Sequence, residues 1–358
     1  MAEYDVLIYG AGPSGSYLGR LLSEKGIKTA IFDPRQEIGI PLYSGEGSSS
    51  SIVTERFRID AGKTKLTPID YVEFSFTYPD NGVRPIIMRS YSKEGIDCTI
   101  DRDKLDKEMA SLAAISGCEL SIRKRIESVI SEKDGFRVRF SGRERTDADA
   151  RIVVRADGPE PGIIRDGCTV VTLCSGRKYS AHDYASFIAL GFGGGRYVQD
   201  LSHGDGYRTA VIEGEMTEAE NRGWITRHTM DALMLYEPFP NQEGQINIGS
   251  RAVGQDPVFL NGLNYAAITA EMARDSILSG LDSSDPLKAI DIYSGKFRKI
   301  ESEYHRNAEI WKRIRALDRK RIHELQEKMS ELEFNSIGIN GLFYNRDAPI
   351  ESMLTDFR

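Results

Sequence analysis

The feature that most constrains this chain is a glycine-rich turn between a short apolar strand and a helix near the N-terminus. Residues 5–9 (DVLIY) predict a buried strand, and Gly10, Gly12 and Gly15 follow it in the spacing G-x-G-x-x-G. A helical pattern and a second apolar strand at residues 29–32 complete a β-α-β unit. In such a unit the glycines allow a tight turn and let a pyrophosphate approach the N-terminus of the helix. The sequence therefore predicts a dinucleotide-binding site.

The residues that flank the turn extend this prediction. Pro13 and Ser14 begin the helix, and Asp33 ends the second strand. A carboxylate at that strand end accepts hydrogen bonds from a ribose 2′-hydroxyl and disfavours a 2′-phosphate. The residues that this motif assigns to the cofactor are Gly10, Gly12, Pro13, Ser14, Gly15 and Asp33.

Composition and charge exclude several other classes of protein. With 358 residues, 40% hydrophobic and 28% charged, the chain can form one large domain or two interleaved domains. The formal net charge of −7 argues against a general attraction to nucleic acid. No apolar stretch is long enough to span a membrane, and Glu3 and Asp5 lie where a secretory signal carries positive charge. The scattered Cys and His residues favour no metal site, and the expected location is the cytoplasm.

The rest of the chain predicts two kinds of sheet and a helical end. Residues 71–78 and 83–91 alternate around Asn81-Gly82, which is typical of a β-hairpin. A helix is predicted at residues 103–115, and another at 263–278 that Gly280 ends. Further strands are predicted at residues 119–122, 128–131, 136–140, 151–155, 185–192, 208–215 and 232–236. From Pro286 onward the apolar residues recur at helical spacing, which predicts a long amphipathic region.

Further motifs extend from the first turn to residue 266. They are EIGIPLYSGEG at residues 37–47, DRDKLD at 101–106, ADG at 156–158, YEPFP at 236–240 and QDPVFLNGLNYA at 255–266. These stretches resemble the patterns EIG-x-P-x-x-CGEG, D-R-x-x-F/L-D, A-D-G, Y-x-W-x-F-P and V-D-P-L-T-G-E-G-I-x-Y-A of the archaeal geranylgeranyl reductase family. The resemblance covers nearly the whole chain and is that of a divergent member.

The resemblance implies a fold class and a cofactor. The fold is α/β: a glutathione-reductase-type FAD-binding Rossmann domain with an inserted antiparallel substrate sheet and a helical C-terminus. The expected FAD-binding domain comprises residues 1–70, 95–165 and 245–285, the substrate sheet 71–94 and 166–244, and the helical region 286–358. The expected cofactor is FAD.

The family motifs also assign further residues to FAD. Arg102 would pair with the phosphates or the ribitol, and Asp157-Gly158 would turn the backbone beside the cofactor. Backbone amides at a helix start near Gly262 would favour negative charge on the reduced ring. The complete additional set is Ser44, Gly45, Gly47, Arg102, Ile126, Asp157, Gly158, Ser250, Gly262 and Leu263.

Three departures from the family patterns affect this site. The family's cysteine is Ser44, its tryptophan is Pro238, and the usual Gly-Asp pair before the flavin helix is missing. One alignment places Ser250 where the ribitol-binding Asp stands in the family. The other treats residues 246–249 as the strand after the Phe-Pro motif and deletes the Gly-Asp segment. In both alignments one carboxylate contact with FAD is lost, so we expect weaker binding or altered chemistry.

The resemblance implies reduction of an isolated prenyl C=C bond. Reduced flavin would deliver a hydride to the bond while a nearby acid supplies a proton, within a dry apolar cleft. Tyr43, Glu46 and Tyr236 are candidate proton sources, and Ser44 is grouped with them although its hydroxyl cannot act as a thiol donor. Phe239 and Pro240 are expected to line the substrate cleft.

The expected partners follow from this chemistry. The substrate would be an isoprenoid membrane lipid, and the electron donor stays open between reduced ferredoxin, NAD(P)H and another reductant. The seven Lys and Arg residues from Arg306 to Arg321 either contact anionic lipid heads beside the apolar stripe or form a solvated helix face. Contact with anionic lipid heads would place the protein at the inner face of the cell membrane as a peripheral protein.

Two other functions stay open at this point. One is a flavin monooxygenase or another FAD oxidoreductase of the same fold, which would oxidise NAD(P)H and consume oxygen. The other is a degenerate protein that binds a nucleotide or a lipid without turnover. The departures at Ser44, Pro238 and Ser250 motivate this second alternative.

Overall fold

A computed structural model defines most of the chain. It describes residues 2–40, 46–69, 96–141, 147–158, 238–254, 262–283, 285–330, 332 and 348–356, and the backbone of further strands between residues 71 and 232. The strands are β1 (Tyr4–Tyr9), β2 (Thr29–Asp33), β3 (Gly47–Ser48), β4 (Thr67–Pro68), β5 (Tyr71–Ser75), β6 (Ile86–Arg89), β7 (Cys98–Thr99), β8 (Glu119–Ile122), β9 (Arg125–Glu132), β10 (Gly135–Ser141), β11 (Asp147–Arg155), β12 (Thr169–Arg177), β13 (Phe187–Gly193), β14 (Arg196–Ser202), β15 (Tyr207–Glu213), β16 (Ile225–Ala232), β17 (Asn241–Gln242) and β18 (Gln245–Asn247).

The helices pack on the first sheet and form the C-terminal region. They are α1 (Pro13–Ser23), α2 (Arg102–Ile115), α3 (Ser250–Val253), α4 (Gly262–Leu281), α5 (Lys288–Arg315), α6 (Arg319–Ser330) and α7 (Pro349–Thr355). Residues Ile52–Arg56 form one turn of π-helix, and Ala61–Thr64 a 3-10 turn.

The first sheet is parallel at its centre and carries the predicted β-α-β unit. Its strand order is β17-β18-β11-β1-β2-β8, and β10 and β9 extend antiparallel from β11. Alternate residues of β1 enter two cores, because successive side chains of a strand point to opposite faces. Val6 and Ile8 pack with the helices, while Leu7 and Tyr9 pack with the β9–β10 hairpin. The continuous apolar run at residues 6–9 is therefore buried on both faces, as is typical of parallel strands.

The second sheet comprises seven strands in the order β16-β12-β15-β14-β13-β5-β6. The predicted hairpin at residues 71–91 is present, since β5 and β6 pair antiparallel with Tyr71 opposite Arg89. Strands β12 and β14 were not expected, and β16 ends at Ala232, where the last strand was expected to begin. Polar residues alternate through β14 and β16, so their apolar pattern is weak.

Two local differences from the sequence predictions have clear causes. Gly280 does not end a helix, because α4 continues to Leu281. A Cβ atom on Gly280 would lie 2.8 Å from the Cβ of Ala289, so this glycine lets α4 and α5 approach closely. Strand β17 pairs with β18 in the first sheet, although residues 166–244 were expected to belong to the substrate sheet. Positive φ angles at Glu243 and Gly244 make the tight turn that joins these two strands.

The C-terminal helices bury their apolar stripe inside the protein. Ile310, Trp311, Ile314, Leu325 and Met329 are at most 2% exposed. The basic side chains from residue 312 to 321 are exposed or half-buried on the opposite side. The stripe is thus used for internal packing, and this region presents charge rather than an apolar face to its surroundings. Among the helices of the described residues, none has the length and apolar character needed to cross a membrane.

Candidate functional site

The glycine turn after β1 is held by close backbone contacts. Gly10 has a φ angle of +111°, and a Cβ atom there would lie 2.5 Å from the carbonyl oxygen of Ala156. A Cβ atom on Gly15 would lie 1.9 Å from the carbonyl oxygen of Gly10. On Gly12, by contrast, a Cβ atom would meet nothing within 4 Å. Gly10 and Gly15 are therefore needed for the fold of the turn, while Gly12 leaves space for an approaching ligand.

The N-terminus of α1 is suited to an anion. The helix starts at Pro13, and Gly12 precedes it in an extended conformation without a side-chain capping bond. The first backbone N–H groups of a helix have no partner within the helix, and its dipole is positive at this end. The turn therefore places open space directly in front of a positive helix end.

A second turn, between β18 and α3, lies against the first. Gly249 has a φ angle of +60°, and a Cβ atom there would lie 2.5 Å from the Oγ of Ser14. The Oγ of Ser250 is 3.6 Å from the position that a Cβ atom on Gly262 would take. Strand β18 runs parallel to β11 and so ends at the same edge of the sheet as β1. The structure thus places Gly249-Ser250 beside the glycine turn.

Helices α1 and α4 begin at this same place. The hydroxyl of Tyr17 in α1 donates to Glu271 in α4 over 3.2 Å, and burial and Glu271 raise the pKa of Tyr17 to about 12. Together with the contacts of Gly249 and Gly262, this pairing shows that the two helices run side by side in one direction. Their positive ends converge on the turns. The side chain of Leu263 is buried in the core, which leaves its backbone as the part that can face a ligand.

The carboxylate of Asp33 is saturated by its own chain. Its Oδ1 accepts from the amide and Nε of Arg35, both over 2.9 Å. Its Oδ2 accepts from the amide of Ala11 over 2.6 Å and from Nη2 of Arg35 over 2.8 Å. Burial alone would raise the pKa of Asp33, but Arg35 and the Ala11 amide outweigh it and the pKa lies below its ordinary value. A ribose hydroxyl can therefore reach Asp33 only if Arg35 gives up one of its contacts.

Arg102 is held at the start of α2 by a buried ion pair. Its Nη2 lies 3.2 Å from Asp106, and both residues are less than 8% exposed. Burial raises the pKa of Asp106, while the charges of Arg102 and Arg35 oppose this rise. Asp101 caps the helix by accepting from the amide of Lys104. The predicted cofactor residues Arg102 and Asp33 are thus linked through one group of buried charges.

Glu46 and Gly47 are brought to the same region by a small antiparallel sheet. Strand β7 pairs with β3 and β4, with Thr99 opposite Gly47, and the amide of Ile100 donates to the carbonyl of Glu46 over 2.8 Å. The side chain of Glu46 is 5% exposed. This pairing places residues 46–47 next to the strand that leads directly into Arg102.

Asp157-Gly158 follows β11 at the same sheet edge. The carboxylate of Asp157 pairs with Arg155, at 3.1 Å from Nε and 2.5 Å from Nη2, and Gly158 has a φ angle of +79°. Asp157 thus fixes the local turn, and Gly158 allows it. Ile126 lies on the other face of the sheet, partly buried against the core formed with the β9–β10 hairpin.

Several predicted site residues lie outside the described residues. These are Tyr43, Ser44, Gly45 and Tyr236. Their predicted roles stay predictions. Of the expected substrate-lining pair, Phe239 and Pro240 are both half-buried, and Phe239 packs against the main core.

Three side chains that the sequence analysis did not single out contribute to the site. The side chain of Arg35 donates to both carboxylate oxygens of Asp33. Its position two residues after Asp33 was a signal in the sequence that could have indicated this pairing. The hydroxyl of Thr269 accepts from the amide of Gly249 over 2.8 Å and fixes the second turn. Arg251, directly after Ser250, is 1% exposed. The sequence carries no sign that this arginine is buried.

We expect Gly12→Ala to weaken binding of the expected cofactor, FAD, without unfolding the protein. The added methyl group enters the open space in front of α1 and displaces the ligand, so affinity should fall roughly tenfold or more. Gly295→Ala is the matched control, because it also adds a methyl group into open space but lies within α5. Flavin fluorescence titration of both variants measures the difference. Equal affinity in both would contradict the assignment of Gly12.

We expect Arg35→Met to reverse the pH dependence that Asp33 contributes to stability. In the wild type the lowered pKa means that ionised Asp33 stabilises the fold above about pH 4, and that this contribution is lost as the pH falls through the lowered pKa. Without the Arg35 side chain only backbone amides oppose burial, so the pKa rises above its ordinary value. Asp33 then destabilises the fold as the pH rises from about 4 to 7.

Urea-unfolding midpoints across this pH range measure the effect. Arg139→Met is the control, since Arg139 forms an exposed ion pair with Asp147. A profile for Arg35→Met that matches the control would show that Arg35 does not set the ionisation of Asp33.

Comparison with known proteins identifies relatives along most of the chain. No family model matches the sequence. The digeranylgeranylglycerophospholipid reductase of Thermoplasma acidophilum is 31% identical over 301 residues, which cover 78% of this chain and 74% of the relative. The reductase of the same name from Thermoplasma volcanium is 27% identical, covering 96% of this chain and 95% of the relative.

Solved structures confirm the predicted fold class. A geranylgeranyl bacteriochlorophyll reductase-like protein from Thermoplasma acidophilum has a TM-score of 0.81 at 20% identity, over 99% of this chain and 96% of that protein. A halogenase in complex with phloroglucinol and FAD has a TM-score of 0.66 at 14% identity, over 99% of this chain and 90% of that protein. The sequence identity with the first relative extends over most of both chains. This chain therefore belongs to the digeranylgeranylglycerophospholipid reductase family, as a divergent member, and the resemblance found in its motifs is confirmed.

Proposed function

We propose that this protein is an FAD-dependent oxidoreductase that reduces prenyl C=C bonds in isoprenoid membrane lipids. The observation that carries the proposal is the convergence of two glycine turns and two helix N-termini, with open space in front of Gly12, in a chain of this family. The family name supports a prenyl lipid as the substrate class. The electron donor is not specified by these observations.

The residues at the two turns fit FAD. A Cβ atom would collide at Gly10, Gly15 and Gly249 but not at Gly12, so the backbone forms a cradle with one open side. The positive ends of α1 and α4 both face this cradle, which suits a pyrophosphate at one and a negatively charged ring at the other. In its reduced form, bound FAD can supply a hydride equivalent to an alkene.

The side chains of this protein are proposed to line the lipid site, exclude water from the reacting bond and supply a proton. Phe239 and Pro240 contribute an apolar wall that excludes water from the reacting bond. Glu46 is buried beside the strand that leads to Arg102, and its carboxyl group is the candidate proton donor among the described residues. Reduction of one C=C bond adds a hydride and a proton, so each turnover adds two hydrogen atoms to the lipid.

The test combines cofactor identification with lipid reduction. The cofactor released from purified protein is identified by chromatography, and the protein is then incubated anaerobically with dithionite and vesicles of geranylgeranyl-chain phospholipid. We expect FAD, and a mass gain of two hydrogen atoms per reduced bond by mass spectrometry. NAD(P)H oxidation with oxygen consumption and no mass gain would instead support a monooxygenase. A colourless protein that takes up no added FAD would overturn the proposal in favour of a binding protein without turnover.

We expect Glu46→Gln to slow lipid reduction while leaving reduction of the flavin by dithionite unchanged. An amide cannot donate the proton that the carboxyl group supplies, so kcat should fall by roughly a hundredfold or more. Glu55→Gln is the control, because Glu55 is an exposed glutamate on the nearby π-helical turn. Wild-type kcat in Glu46→Gln would assign the proton to another group.

A further inference from the structure

The segment expected to line the substrate cleft is anchored to the second cofactor turn. The amide of Phe239 donates to the carbonyl of Ala252 in α3 over 2.8 Å, and the amide of Asn247 donates to the carbonyl of Pro240 over 2.8 Å. The side-chain Nδ2 of Asn247 donates to the carbonyl of Phe239 over 3.2 Å. Three hydrogen bonds thus join residues 239–240 to β18 and α3, on either side of Gly249-Ser250.

Arg251 adds a side-chain contact to this junction. Its guanidinium carbon lies 5.8 Å from the centre of the Phe239 ring, within the range of a cation–π interaction. Its Nη2 donates to Oε1 of Gln242 over 3.1 Å. Arg251 therefore follows Ser250 at this turn. Its side chain contacts Phe239, which belongs to the cleft segment, and Gln242, which follows that segment.

The burial of Arg251 indicates that its contacts have a specific purpose. The side chain is 1% exposed, and removing a guanidinium from water is unfavourable unless its partners compensate. An apolar side chain of similar length would fill the same space without this cost. An apolar side chain would not fix the orientation of its neighbours. The planar guanidinium does so, because it contacts the ring of Phe239 and the side-chain amide of Gln242 at once.

We propose that Arg251 is a positioning residue that couples the cofactor turn at Gly249-Ser250 to the orientation of Phe239. Since Gly249 contacts Ser14 and Ser250 approaches Gly262, the same turn touches both helix ends of the cradle. A rigid connection from this turn to Phe239 places the substrate wall at a fixed distance from the cofactor. The assignment of Phe239 to the substrate rests on the proposed function, whereas the connection itself does not.

The first experiment tests the connection without cofactor or substrate. Amide hydrogen exchange is measured for the wild type, Arg251→Met and the control Arg137→Met, which removes an exposed arginine of β10. We expect the amides of Phe239 and Asn247 to exchange roughly tenfold faster in Arg251→Met only, with the amides of β1 unchanged. Unchanged exchange at Phe239, or equally faster exchange throughout the protein, would overturn the proposal.

A second variant keeps the proposal testable if Arg251→Met fails to fold. Arg251→Lys retains the charge and the ring contact but loses the planar fork. We expect exchange at Phe239 between that of the wild type and that of Arg251→Met, or, if the latter does not fold, faster than wild type by a few-fold. Wild-type exchange at Phe239 in Arg251→Lys would show that the guanidinium geometry has no positioning role.

The second experiment tests the consequence for catalysis. We expect Arg251→Met to lower kcat/KM for the lipid by roughly tenfold, while the dissociation constant for FAD changes much less. Combined with Phe239→Leu, the effect should be smaller than the product of the single effects, because both substitutions remove one shared contact. Strictly multiplicative effects would overturn the coupling. If the wild type reduces no lipid, the proposed function fails, and the exchange experiment still decides whether Arg251 positions Phe239.

Discussion

The site depends on one constraint, the close approach of backbone segments at the carboxyl edge of the parallel sheet. The loop after β11 meets Gly10, the carbonyl of Gly10 meets Gly15, and the turn after β18 meets Ser14, each at a distance that excludes a Cβ atom. Three segments distant in sequence are thereby fixed within one small volume. Helix α1 begins within two residues of these contacts, and α4 begins at Gly262, where the Oγ of Ser250 lies 3.6 Å from the position that a Cβ atom would take. The cradle is therefore a property of how the backbone segments pack.

Beside the glycine turn, two ion pairs link the end of β2 to the start of α2. Asp33 pairs with Arg35 and Asp106 with Arg102, and the charges of both arginines act on Asp106. The helix ends supply the positive potential instead, and they do so with dipoles that cannot move away or be titrated. A ligand at Asp33 would have to exchange existing hydrogen bonds, whereas an anion at the start of α1 would satisfy amides that have no partner in their helix.

The glycine turn, its helix and the parallel strands could be predicted because each follows from local sequence chemistry. The role of a glycine can be inferred from the sequence where a collision or a positive φ angle excludes other residues, as at Gly10 and Gly15. The saturation of Asp33 could not be predicted, since it depends on the side-chain conformation adopted by Arg35. Gly280 was misread for the same kind of reason: a helix end and a close helix contact both select glycine. The burial of Arg251 depends on packing against Phe239, which local sequence does not encode.

The replacement of a carboxylate at Ser250 is consistent with this distribution of charge. In one of the two alignments the family's Asp falls at this position, where a hydroxyl lies close to Gly262 at the start of α4. A hydroxyl can still accept a hydrogen bond but carries no charge, so in this alignment the change removes a negative group from the place of the family's ribitol-binding Asp. The following residue, Arg251, adds a positive charge within the same short helix. In this alignment the loss of one strong acceptor would therefore be opposed by weaker repulsion of an anionic ligand.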